Sequence, residues 1–179
     1  MNKPDDTDLI QRCQNGDRNA FEVLLVRYEK PIFNAAYRML GNTEDAQDIT
    51  QTVFLKIYEH LNDYDPKYRF FSWIYRIAIN ESINCLNKQN RTESLVREPA
   101  TESSGPEEAT SAGQQSQRIQ SALMTIKQEY RTVIILKHFM ECNYLEISQI
   151  LDISEKKVKS RLYSGRQLLK DALQDTRRG

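Results

Sequence analysis

No apolar run in this chain approaches the roughly 20 residues a helix needs to cross a bilayer. The opening stretch MNKPDDTDLIQ is polar and acidic, unlike a secretory signal. Cysteine is sparse: Cys13, Cys85 and Cys142 are odd in number, far apart and without a C-x-x-C pair. With only two histidines, His60 and His138, that argues against a disulfide framework and against a zinc site. The expectation is a reducing, cytoplasmic chain that holds no metal. Glycine and proline are few, 6 and 5 in 179 residues, and no regular polar/apolar alternation runs through the chain, so a mostly helical fold is expected. Phosphate-binding glycine loops, nucleophile–base pairs and convergent titratable clusters are all missing, which argues against an enzyme. Net charge is missing as well, 25 bases facing 25 acids. The signs are segregated, however, with acids toward the N-terminus and middle and bases near the end. Local charge rather than the total decides partners.

What is there is clearest at the C-terminal end. The segment LEISQILDISEKKVKSRLYSGRQLLKDAL reads as a helix-turn-helix. Ile147, Ile150, Leu151, Ile153, Val158 and Leu162 are spaced to close two short helices over one core. Asp152-Ile153 makes the turn and Ser154 can cap the next helix. That helix has an apolar stripe of Val158, Leu162 and Leu169, and carries Lys156, Lys157, Lys159, Arg161 and Arg166. A cationic second helix after a tight turn suits a DNA major groove. The residues themselves therefore predict nucleic-acid binding.

Residues 89–116 read as a linker. QNRTESLVREPATESSGPEEATSAGQQS is rich in Ser, Thr and Glu and almost without apolar residues. Such a stretch buries too little surface to offset its ordering entropy. It divides the chain into a first module, 5–88, and a second, 117–176. In the first, Phe21, Leu24, Leu25 and Tyr28 keep helical spacing behind Asp17 as cap. Pro31 interrupts, and Ile32, Ala35, Ala36, Met39 and Leu40 resume the stripe to a stop at Gly41. Thr43 is expected to cap a third helix whose buried face is Ala46, Ile49, Val53, Ile57 and Leu61. Glu44, Asp45 and Asp48 suit the dipole at its start. Gln47, Asp48 and Gln51 add an exposed polar strip, a docking surface for a basic partner. The loop NDYDPKYRFF gathers aromatics, and a fourth helix is expected to start with Ser72 as cap. Trp73 and Ile77 are assigned to its buried side. Arg76, Asn80, Asn84, Asn87 and Lys88 recur on the other side. Asparagine is a poor helix former, so this face reads either as solvated surface or as a face that hydrogen-bonds bases and phosphates beside a stacking loop.

Taken together, FEVLLVRYEKPIFNAAYRMLGNTEDAQDITQTVFLKIYEHLNDYDP, FFSWIYRIAINESINCLNK, YRTVIILKHFMECNYLEISQIL and SEKKVKSRLYSGRQLLKDAL resemble, in that order, the bacterial sigma factors of the extracytoplasmic-function (ECF) group. The resemblance covers most of the chain outside the linker and termini. It implies an all-α protein of two helical modules, a sigma region 2 bundle and a sigma region 4 helix-turn-helix, joined by a flexible linker. Such a protein binds core RNA polymerase and directs promoter-specific initiation, reading −35 and −10 elements and aiding −10 melting. In the first module, Asp45, Asp48 and Gln51 correspond to the surface that meets the β′ clamp helices. Tyr64, Lys67, Arg69 and Phe70 of the loop, with Arg76, Asn80 and Asn84 of the next helix, correspond to the −10 contacts. In the second module, Lys156, Lys157, Lys159, Ser160, Arg161, Tyr163 and Arg166 correspond to the −35 helix, and the module also meets the β flap. Lys159, Ser160 and Tyr163 are assigned to the groove, Arg161 or Arg166 to phosphate. The resemblance further implies an anti-sigma factor, which can be membrane-bound, and no cofactor.

The chain departs from the family in two places. Thr52 stands where an acid is common, and Ser164-Gly165-Arg166 stands where R-[AG]-R is common. Gly165 is expected to weaken its helix by about 1 kcal/mol relative to alanine. Two other classes compete with the sigma reading. A stand-alone helix-turn-helix regulator would bind duplex DNA without polymerase. An anti-sigma or adaptor protein would work through protein contacts alone, which the basic last helix speaks against.

Overall fold

The computed structural model describes residues 5–95 and 111–175, and every regular element among them is helical. The first module holds α1 (Asp6–Gln14), α2 (Arg18–Leu40), α3 (Thr43–His60), a 3₁₀ turn (Leu61–Asp63) and α4 (Phe70–Leu95). The second holds α5 (Ser111–Thr125), α6 (Gln128–His138), α7 (Tyr144–Leu151) and α8 (Glu155–Asp175). The expected linker 89–116 is thus helical at both ends, and its middle lies outside the described residues.

Helix α2 organises the first module, with α1, α3 and α4 packed around it. Asp17 caps it, accepting from the amides of Asn19 and Ala20. The expected interruption at Pro31 does not occur, and α2 runs through it. Proline deletes one main-chain donor. The buried stripe Leu24, Tyr28, Ile32, Ala35, Ala36 and Met39 continues on both sides and outweighs that loss. Asp6 of α1 accepts from the Tyr28 hydroxyl and pairs with Arg27, pinning α1 across α2. The cap of α3 is Asn42, whose side chain accepts from the Asp45 amide at 3.0 Å, so Thr43 is the first helical residue rather than the cap. The face Ala46, Ile49, Val53, Ile57 and Leu61 is buried as the spacing predicts.

Helix α4 starts three residues earlier than expected, and Ser72 lies inside its first turn rather than capping it. The cause is aromatic. Phe70 is buried edge-on against Tyr28 and Tyr64 and lies beside Trp73, and this cluster draws the chain into helix before the serine. The register shifts accordingly. Ile74, Tyr75, Ala78, Ile79 and Ser82 form the buried side, while Trp73 and Ile77 are half-buried at its edge.

The second module is a helix-turn-helix, α7 and α8, mounted on α5 and α6. Asn143 and Glu146 form a reciprocal capping box at the start of α7. Asp152 closes α7 in the left-handed conformation at φ 53°, and Ser154 Oγ accepts from the Lys157 amide at 3.2 Å to open α8. The two modules pack against each other, α5 and α6 on the end of α2 and α7 on the start of α4, so that one apolar core runs through both.

Candidate nucleic-acid interface

Helix α8 buries Val158, Leu162 and Gly165. At 3.6 residues per turn the opposite face carries Lys156, Ser160 and Tyr163, with Lys159 and Arg166 on one flank and Lys157 on the other. All six are exposed, Tyr163 at 70%. Lys159 Nζ sits 5.4 Å from the centroid of the Tyr144 ring, which also holds Lys137 at 5.0 Å, so the first turn of α7 joins the cationic face. Arg161 lies nearer the core and pairs with Glu129 of α6 at 2.8 Å. Arg166 donates through Nε to His138 Nε2 at 3.2 Å, leaving the other guanidinium nitrogens outward. The imidazole pKa is lowered from its ordinary value by burial and by the neighbouring Arg166 and Lys137. It is therefore available as an acceptor.

Gly165 is what lets α8 lie this close to α6. A Cβ there would stand 3.0 Å from Ile134 Cδ1 and 3.3 Å from Tyr130 Cβ. The helix-propensity cost read from the sequence is accompanied by a packing reason that a single sequence does not reveal.

On α4, Arg76, Asn80 and Asn84 are exposed along one face. In the loop before it, Lys67 pairs with Asp65 at 2.9 Å and lies over the Tyr68 ring. Tyr64 is half-buried, its hydroxyl donating to the Tyr68 carbonyl at 2.6 Å, and it belongs to the same aromatic cluster as Phe70 and Trp73. Phe70, assigned to DNA from the resemblance, is 4% exposed and is part of the core, where no strand can reach it. The open aromatic of the loop is Tyr68, which the sequence reading did not single out. Arg69 reaches across the module boundary to Glu146 at 3.3 Å. Between α4 and α7 lies a cleft of about 300 Å³ lined by Tyr68, Ser72, Trp73 and Arg76 on one side and Ser148, Gln149, Asp152 and Ile153 on the other. The Ser72 Oγ is buried without a hydrogen-bond partner.

On α3, Asp48 and Gln51 are exposed and Asp45 is half-buried, accepting from Gln89 of α4 at 2.9 Å. Leu55 and Tyr58, one and two turns further along, are exposed apolar residues at 64% and 66%. An acidic strip merging into an apolar one suits a protein partner better than a nucleic acid.

Residues 24–92 match the family model for Sigma-70 region 2, and residues 116–169 match that for Sigma-70 region 4. The chain is similar to the ECF RNA polymerase sigma factor SigW of Bacillus subtilis (strain 168), 34% identical over 178 residues that cover 93% of this chain and 95% of that protein. It is 28% identical over 181 residues to the ECF RNA polymerase sigma-E factor of Escherichia coli (strain K12), covering 94% of each. Among solved structures, the sigma factor RpoE in complex with the anti-sigma factor NepR from Bartonella quintana has a TM-score of 0.75 at 20% identity, covering 86% of this chain and 96% of that one. CnrH in complex with the cytosolic domain of CnrY has a TM-score of 0.73 at 24% identity, covering 95% and 97%. Both structural likenesses are likenesses of fold.

Proposed function

Because this chain belongs to the ECF group of the sigma-70 family of RNA polymerase sigma factors, we propose that it binds core polymerase through the first module and brings two separate DNA-reading faces to a promoter. As an alternative sigma factor it directs transcription initiation. The observation that carries the detailed reading is the pairing of an exposed cationic α8 in a capped helix-turn-helix with an exposed Arg76, Asn80 and Asn84 face on α4.

In this reading Asp48 and Gln51, with Asp45 behind them, dock on the β′ clamp helices, and Leu55 and Tyr58 extend the contact. Helix α8 enters the −35 major groove. Lys156, Lys159, Ser160 and Tyr163 face base edges, while Lys157, Arg166 and, once released from Glu129, Arg161 reach phosphates. Arg76, Asn80 and Asn84 hydrogen-bond the displaced −10 strand, Tyr68 stacks on an unpaired base, and Lys67 and Arg69 meet its backbone. Tyr64 and Phe70 act one step removed, as the aromatic scaffold that holds the loop. The chain's contribution is binding energy directed at a melted strand. Unstacking a base costs a few kcal/mol and is offset by stacking and hydrogen bonds made only after melting. The chemistry of nucleotide addition belongs to the polymerase. The protein acts where polymerase acts, in the cytoplasm, and an anti-sigma factor is expected to compete for the same surfaces. Similar proteins were solved with a partner of that kind or with the cytosolic domain of another protein.

The test is transcription in vitro from a library of promoter sequences by core polymerase with and without the purified chain. Initiation that requires both and selects sequence at −35 and −10 supports the reading. No gain from the chain, together with duplex binding by the chain alone, overturns it in favour of a stand-alone regulator.

A further inference from the structure

The polar face of α4 does not stop where the −10 assignments stop. At 3.6 residues per turn, Arg76, Asn80, Asn84, Asn87 and Arg91 fall on one stripe along the helix. All five are exposed. Among the described residues, no hydrogen bond ties the side-chain amide of Asn80, Asn84 or Asn87. Asparagine is a poor choice for a helix interior, and a third one continuing the line has no packing reason to be there. The carboxylate beside the stripe, Glu81, is half-buried and held by Lys56 of α3 at 2.7 Å. Asp45 of α3 accepts from Gln89, which lies on the opposite side of α4. The stripe therefore offers a ligand three amides, with a guanidinium at each end.

From Arg76 to Arg91 it is about 22 Å long at 1.5 Å per residue. Arg76, Asn80 and Asn84 are assigned above to the displaced −10 strand. Asn87 and Arg91 lie about 5 and 10 Å beyond Asn84 along the axis, which is roughly one to three base steps at 3.4 Å each. The direction follows from the order of the chain. The loop that takes the unpaired base precedes α4, and the module that takes the −35 element follows it, so the far end of α4 points upstream. DNA on that side of the melted segment is still paired. A duplex admits a helix into its major groove, where the amide of asparagine matches adenine, accepting from N6 and donating to N7. An arginine one turn further on suits the phosphate backbone.

We propose that α4 reads promoter DNA past the melted strand: Asn87 hydrogen-bonds the major-groove edge of an adenine in the duplex immediately upstream of the −10 element, and Arg91 holds an adjoining phosphate. This rests on the sigma reading above and adds a third sequence-reading contact to the −35 and −10 faces.

The experiment is transcription in vitro by core polymerase with the full chain, from a promoter library randomised over the base pairs just upstream of the −10 element. Wild-type transcripts are expected to be enriched about fivefold or more for one A·T pair, in one orientation, within roughly three positions of the element. Asn87→Ala erases that enrichment and leaves the choices at −10 and −35 intact. Arg91→Ala keeps the enriched base and lowers the salt slope of promoter binding by the polymerase–chain complex by about one. Both side chains are exposed and alanine is the better helix former, so neither variant should lower the denaturation midpoint. A library indifferent to every pair upstream of the −10 element overturns the proposal. So does an enrichment that survives Asn87→Ala, or a loss of choice within the −10 element itself, which would place Asn87 on the displaced strand. An unchanged salt slope in Arg91→Ala overturns the phosphate contact. Absence of transcript from wild-type chain plus polymerase counts against the sigma reading, whereas selection at −10 and −35 without selection upstream of −10 counts against this inference alone.

Discussion

At Gly165 one missing side chain sets the distance between α6 and α8. Alanine there would gain about 1 kcal/mol of helix propensity and spend it on crowding Ile134 at 3.0 Å. A larger β-branched side chain has no such balance. Gly165→Val is expected to lower stability by about 1–3 kcal/mol, the range for overpacking a dense contact, read as a lower denaturant midpoint with an unchanged slope. Equal midpoints would mean that α8 shifts on α6 without cost. His138 offers a second single-residue test. Its pKa is lowered in the folded chain, by burial first and by Arg166 and Lys137 after that. As pH falls, the unfolded chain therefore takes up this proton before the folded one does. The contribution to stability is full above the ordinary imidazole value of about 6.5 and is lost as pH drops from there toward the lowered value. Denaturation midpoints measured from pH 8 downward, in comparison with His138→Gln, should show a steeper acid loss for the wild type. Parallel curves would remove His138 from that account.

At the scale of elements, the start of α7 does two jobs. The capping box joins Asn143 and Glu146 reciprocally, and the second oxygen of the same carboxylate meets Arg69. Asn143→Ala removes the acceptor for the Glu146 amide and is expected to cost about 1 kcal/mol. The backbone amide of residue 143 that donates to Glu146 Oε2 is kept, so the Arg69 contact and the acrylamide quenching of Trp73, which lines the neighbouring cleft, should stay unchanged. A rise in quenching along with the stability loss would show that the cap and the cross-module contact are coupled. These elements also mark how much was legible beforehand. The buried face of α3 and both helices of the helix-turn-helix follow from 3.6-residue spacing, because one continuous core lies along each. The cap of α3 was misread by one residue because Asn42 and Thr43 are adjacent and both competent. Pro31 and Ser72 were misread because local signals, a lost donor and a good N-cap residue, were overridden by packing: the stripe of α2 in one case and the Phe70 cluster in the other. The candidate site divides the same way. The α8 and α4 polar faces were visible as periodic charge and amide. Phe70 could not be told from a stacking residue, because an aromatic loop looks the same whether its rings face core or solvent. The hydrogen bonds between the modules had no local signature at all, since Gln120 and Arg131 donate to carbonyls 83 and 92 positions away.

For the whole molecule, zero net charge hides a working asymmetry. Helix α8 carries six bases and three acids in its 21 residues, while the α3 strip presents Glu44, Asp45 and Asp48 on the other module. A neutral chain has little long-range pull on DNA, so non-specific binding stays weak and attraction is confined to one face. Binding through that face as proposed releases counterions, so the logarithm of affinity is expected to fall with the logarithm of salt by about 0.9 for each phosphate neutralised. Residues in the groove and residues on its flanks should therefore separate experimentally. Lys157→Ala, on the flank of α8, is expected to weaken promoter binding by the polymerase–chain complex at every sequence alike and to reduce the salt slope by about one. Ser160→Ala, at the centre of the exposed face, should leave the slope unchanged and relax the choice of base at one −35 position. The measurement is a salt titration of both variants and wild type on the promoter selected by the transcription library, with polymerase held constant so that its own contacts cancel. If Lys157→Ala changes sequence preference and Ser160→Ala changes the slope, α8 is rotated in the groove by about a sixth of a turn from the orientation argued here. A sixth of a turn keeps Val158 and Leu162 in the core, whereas any much larger rotation would turn that buried stripe toward the DNA and expose it.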